Sequence, residues 1–166
     1  MNPITIPSDK MKSQKAMQQF LPVREAFLIA ALVFVLNYVL GTAVVLQLNL
    51  SDPGIGGSAR DSWLASGTQL GAPAWFMVLY VVLLVLATRQ RWIGILGTAG
   101  VTLLTLMSGL SWLVDYGMVL RVIEHHLTVL TGLAVAVLII TTPTVVILGI
   151  TTLIAQRRAH MRMVVS

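Results

Sequence analysis

Four long runs of this chain contain no Asp, Glu, Lys, Arg or His: 26–48, 72–88, 92–114 and 127–155. No other feature constrains the fold as much. A helix rises 1.5 Å per residue, so the 23 residues of the first run reach about 34 Å. That is enough to cross the roughly 30 Å hydrocarbon core of a bilayer with some tilt. In lipid every backbone polar group must be satisfied within its own segment or a closed barrel. The runs are too long for barrel strands, so the expected fold is all-α, a four-helix transmembrane bundle. Composition agrees, with 57% hydrophobic and 10% charged residues and a mean hydropathy of +0.88. Soluble domains carry about 25% charged residues.

Three polar segments frame the runs. Residues 1–23 form a basic arm with Lys10, Lys12 and Lys15. Met17, Phe20 and Leu21 can share one face of a short interfacial helix, which Pro22 ends or which gives way there to the next element. The first run is too long for a secretory core, so an uncleaved first span is expected. Residues 49–70 form the one long loop, with turn chemistry at Asp52-Pro53-Gly54 and an interfacial Trp63. Its glycines lack a P-loop lysine, Rossmann spacing and a preceding strand, so they do not make a phosphate cradle. Residues 156–166 form a basic tail.

The cations divide unevenly. Lys10, Lys12, Lys15, Arg24, Arg89, Arg91, Arg157, Arg158 and Arg162 fall on one side of a four-span bundle, and Arg60 and Arg121 on the other. The positive-inside bias puts both termini in the cytoplasm. The formal net charge of +5 therefore points to topology and anionic lipid, with no nucleic-acid partner.

Within the spans, Asn37 lies near the centre of the first. An amide there needs a hydrogen bond, so it is expected to face the other helices. The second span is opened by Pro73 and looks lipid-facing throughout. In the third span Gly94, Thr98 and Thr102 recur every four residues, and Thr105 and Gly109 continue the stripe. Gly97 and Gly100 widen it. Small residues let backbones approach closely, so Gly94, Gly97 and Gly109 are the expected packing positions of a central helix. Ser108 and Ser111 are expected to bond carbonyls or to line a small polar cavity. In the fourth span Pro143 removes a backbone donor and clashes with the Ile139 carbonyl. A kink is expected, with Thr141 and Thr142 supplying hydroxyls to freed carbonyls.

One cluster has a chemical alternative. Glu124-His125-His126 precedes the fourth run. Metalloprotease zinc sites set histidines four apart on one helix face, whereas adjacent ones point about 100° apart. The preferred reading is structural, an interfacial pair between Arg121 and Glu124 flanked by histidines. The alternative is cofactor binding by His125 or His126, with haem b as the cofactor. Paired ligation across the bundle then needs a dimer, a partner subunit, or a methionine such as Met107 or Met118. The chain has no cysteine, which excludes disulfides and thiolate sites. It has no Gly-x-Ser-x-Gly and no pair of intramembrane carboxylates, so no catalytic residue is assigned. No internal repeat relates the two halves, which argues against an inverted-repeat transporter.

Gly71-Ala72-Pro73-Ala74-Trp75, the turn at Arg89 and Arg91, and Asp115-Tyr116-Gly117 resemble the small four-span bacterial integral membrane proteins of unknown function. The resemblance covers most of the membrane part and carries no activity or site residues. The expected role is a structural or accessory subunit in a bacterial inner membrane, partnered by lipid, other membrane subunits or copies of itself. The alternatives are a haem- or quinone-associated subunit and a small-molecule transporter or channel.

Overall fold

A computed structural model describes residues 8–48, 60, 63–64, 72–89, 91–114 and 129–165. Among the described residues four long helices are present: α1 Ser8–Leu48, α2 Ala74–Ala87, α3 Arg91–Val114 and α4 Val129–Val165. Among the described residues there is no strand. Among the described residues three segments are long and apolar enough to cross a membrane: Pro22–Gln47, Trp92–Ser111 and Gly132–Arg158. α2 is apolar but shorter, at 14 residues or about 21 Å.

The helices pack as a ring in the order α1, α2, α3, α4, with α4 closing back on α1. Neighbours run antiparallel. Arg24 near the start of the apolar part of α1 meets the end of α2, and Asn37 meets Ala134 early in α4. Gly109 faces Thr142, and Gly149 faces Thr102. α3 packs chiefly on α2 and α4 and meets α1 only through the Tyr38–Ser108 pair, so it is flanked like the other helices and does not occupy the expected central position.

Each helix is apolar on its outer face as well as its inner one. On α1, Phe27, Ala31, Phe34, Tyr38 and Val45 are buried, while Ile29, Leu32, Leu36 and Val39 are exposed. On α4, Ala134, Leu138, Thr141, Val145 and Thr152 are buried, while Ile139, Ile140, Ile147 and Ile150 are exposed. A helix that is hydrophobic all round needs an apolar surrounding. The interior is the smaller and more polar side, with Thr98, Thr102 and Thr105 of α3 buried and Leu96, Leu103 and Leu106 exposed. That is the pattern of helix association in lipid, where close packing and hydrogen bonds replace the hydrophobic drive.

Element ends depart from the expected boundaries in three places. α1 is continuous from Ser8 and carries Pro22 inside it, so the basic arm is no separate helix. Proline removes one donor, and the Lys, Met, Gln and Ala residues before it are good helix formers. α4 likewise continues through Gln156-Arg157-Arg158 to Val165, because neither glycine nor proline follows to stop it. α2 begins after Pro73, whose ψ of 149° is extended. The Pro73 carbonyl accepts the first helical amides, from Phe76 at 3.0 Å and Met77 at 3.2 Å.

Candidate functional site

The polar interior is built from single side chains on apolar helices. Asn37 of α1 donates through Nδ2 to the Ala134 carbonyl of α4 at 2.9 Å. The next residue, Tyr38, points instead toward α3, where its phenol pairs with the Ser108 hydroxyl. Tyr80 of α2 meets Thr105 of α3 at 3.0 Å. Thr105 also donates to the Val101 carbonyl at 2.8 Å. A threonine hydroxyl has one proton, so in the Tyr80 pair the phenol is the donor. Two tyrosines on neighbouring helices thus end on α3 hydroxyls three residues apart, on one helix face.

Their rings form one aromatic body. Phe34 stacks on Tyr80 at 5.3 Å and lies edge-on to Tyr38 at 4.9 Å. Phe76 reaches Tyr80 at 6.1 Å and Tyr38 at 6.2 Å. With Val35 and Met77 these residues line a shallow apolar cleft between α1 and α2. The expected lipid-facing character of α2 is corrected here, because Tyr80 is fully buried. Trp75, Val78, Val82 and Val85 keep its other face exposed.

The small-residue positions fall on two kinds of neighbour. A side chain at Gly97 would enter the backbone of Leu86 and Ala87, so α2 and α3 touch main chain to main chain. Gly94 makes room for the Arg89 carbonyl in the turn between the same helices. Gly109 lies under the Thr142 methyl, and Gly149 lies under Thr102, so each of α3 and α4 offers a glycine to a threonine of the other. Thr42 reaches the Met77 sulfur across helices, whereas several other threonine hydroxyls bond back along their own helices. Thr98 donates to Gly94 and Thr102 to Thr98. Pro143 sits inside continuous α4, on its exposed side. Thr141 and Thr144 donate to Val137 and Ile140, not to the Ile139 carbonyl that the proline frees. The i−4 reach of a threonine hydroxyl selects those carbonyls.

One end of the bundle carries arginine. Arg24 donates through Nη2 to three carbonyls at the end of α2: Ala87 at 3.0 Å, Thr88 at 2.6 Å and Arg89 at 3.1 Å. A helix C-terminus leaves its last carbonyls without intrahelical partners and is the negative end of the helix dipole. Arg24 satisfies both conditions and pins α1 to the turn before α3.

Arg121, Glu124, His125 and His126 lie outside the described residues, as does the rest of the 115–128 segment. Among the described residues no three His, Cys, Asp or Glu side chains are grouped to hold a metal. Compared with protein-family models, curated proteins and solved structures, the chain matches none. Its function must therefore be argued from its own residues. Three of those were not singled out from the sequence: Tyr38, Tyr80 and Arg24. The signal for the tyrosines was present, since a phenol in the middle of an apolar run needs a partner. Arg24 counted only toward topology, because its three acceptors lie 63 to 65 residues away.

Proposed function

We propose that this chain is a non-enzymatic structural or accessory subunit of a bacterial inner-membrane assembly. One observation carries the reading: Asn37, Tyr38 and Tyr80, in the middle of the bundle, are engaged across helices by other protein groups. Asn37 takes a carbonyl of α4, and Tyr38 and Tyr80 take hydroxyls of α3. Groups so engaged hold a bundle in one arrangement. Transport or redox work instead needs polar groups kept for a substrate or a cofactor. The outer faces offer broad aliphatic surface for lipid, for neighbouring subunits or for further copies.

The decisive measurement is the mass and content of the protein extracted in mild detergent. The expected result is an assembly larger than the 18.0 kDa chain, with stoichiometric protein partners or copies and no visible absorption band. A monomer carrying stoichiometric haem, lost in His125→Ala or His126→Ala, would move the protein to the redox class. Solute flux in liposomes holding the chain alone would move it to the transporters.

Both termini belong in the cytoplasm on this reading, because nine of eleven cations then lie inside. The cysteine-free chain makes the test clean. Single cysteines at Ser13 and Ser58 are expected to label from opposite sides of sealed vesicles, Ser13 from the cytoplasmic side. Labelling from the same side would contradict this topology.

A further inference from the structure

Three of the four seams in the ring are crossed by a side-chain hydrogen bond. Arg24 and Thr42 link α1 to α2, Tyr80 links α2 to α3, and Asn37 links α1 to α4. Between α3 and α4 no such bond is present among the described residues, and the two helices meet there through glycine against threonine.

Two oxygens of α4 are left over on this side. Thr152 is wholly buried, and its Oγ1 has no partner among the described residues. The other buried threonines are all occupied. Thr98, Thr102, Thr105 and Thr141 donate to carbonyls of their own helices, and Thr42 turns to Met77. The Thr152 proton is therefore unclaimed where its counterparts bond back. Gln156 Oε1 is enclosed and likewise without a partner. Residues four apart are neighbours on one helix face, so Thr152 and Gln156 stand side by side. Gly149, about two turns before Gln156, shares that face and packs on Thr102 of α3. The helices are antiparallel, so one turn beyond this contact Thr98 of α3 stands at the level of Thr152. Thr98 is buried and gives its proton to the Gly94 carbonyl, which leaves its oxygen free to accept.

The balance of donors and acceptors says what fits. The group offers one unclaimed proton, on Thr152, and two acceptors, on Thr98 and Gln156. Water accepts the first and donates to the other two, and about three bonds is the usual number for a buried water. A cation takes no proton from Thr152, and it would lie beside the exposed Arg157 and Arg158 that follow Gln156. An anion has no proton for Gln156 Oε1. Buried polar atoms without partners cost free energy, and ordered water is the common remedy.

We propose that one water is held between α3 and α4, accepting from Thr152 and donating to Thr98 and Gln156, and that it supplies the polar link which this seam otherwise lacks. This does not depend on the subunit role proposed above.

The test is water-to-methyl magnetisation transfer by NMR on the full chain in detergent, with threonine methyls labelled. A cross-peak between water and the Thr152 methyl is expected. None is expected at Thr141, which is also buried and also carries a hydroxyl but bonds back to Val137. Gln156→Met keeps length and helix propensity and removes the acceptor, so the Thr152 cross-peak should be lost. The two side chains share one water, so Thr152→Val and Gln156→Met together should lower the thermal midpoint by less than the sum of the single variants. Absence of the cross-peak in the wild type would overturn the site. With coupled midpoints it would mean that Thr152 bonds Gln156 directly, and with additive ones that the two do not interact. A cross-peak undiminished in Gln156→Met would overturn the bridge. Its loss when choline replaces sodium in the buffer would show a hydrated cation and overturn the assignment to water.

Discussion

Gly97→Leu is expected to leave almost no folded bundle. The ideal Cβ at this position lies against the main chain of α2, 2.6 Å from the Leu86 carbonyl carbon and 2.8 Å from the Ala87 Cα. Backbone cannot rotate out of the way as a side chain can. Either α2 separates from α3 or the turn between them deforms. Even alanine meets the obstacle, so Gly97→Ala should already lower the thermal midpoint in detergent, and leucine should cost about 3 kcal/mol or more. Gly100 supplies the comparison. Its Cβ would meet only the tip of Leu83, at 2.7 Å, and leucine methyls can turn aside. Gly100→Ala also gains roughly 0.5–1 kcal/mol of helix propensity, so it should be near neutral. Val78→Ala, on the lipid-facing side of α2, should be silent. The readout is circular dichroism on heating. A wild-type midpoint for Gly97→Ala would show that the two backbones do not touch as described.

The contrast between Gly97 and Tyr80 shows what was legible in the sequence. Helix number and class followed from the uncharged runs, because bilayer thickness leaves few other ways to satisfy the backbone. The small-residue face of α3 was legible from its spacing alone, since helical periodicity fixes which positions share a face. Which helix touches that face was not. Gly97 meets α2 while Gly109 meets α4, and that split depends on the ring order of the bundle. Helix ends were legible only where a stop signal stands. Pro73 marks the start of α2, but Pro22 and the Gln156-Arg157-Arg158 segment lie inside helices. α2 was misjudged because its composition is apolar almost throughout. One phenol reverses the role of a face, and periodicity in an all-apolar helix carries no information about which face is inside. Arg24 was hidden for another reason. Its acceptors are backbone carbonyls, which any sequence provides, so only the fold could show that they converge.

Tyr80→Ala is the other substitution expected to do most damage. The ring is fully buried and packs on Phe34 and Phe76, so its removal opens a void between α1, α2 and α3. In a bilayer the separated helices face lipid rather than water, so the transfer part of the usual cost is absent. The cavity part remains, about 2–3 kcal/mol for a ring of this size. The hydroxyl can be tested separately. Tyr80 donates to Thr105, whose own proton goes to the Val101 carbonyl. Tyr80→Phe therefore removes a donor and strands nothing but a lone pair, a loss of about 0.6–1.7 kcal/mol. Thr105→Val keeps the shape but leaves a phenol O–H without an acceptor in the interior, which costs about 1–3 kcal/mol. The double variant has no stranded donor. It should be no less stable than Thr105→Val alone, with a coupling on the order of 1 kcal/mol between the two sites. Unfolding by a denaturing detergent, followed by tyrosine fluorescence or circular dichroism, supplies the four free energies. Strict additivity would mean that the phenol and the threonine do not bond, and α2 would then be held to α3 by packing at Gly97 and Gly100 alone.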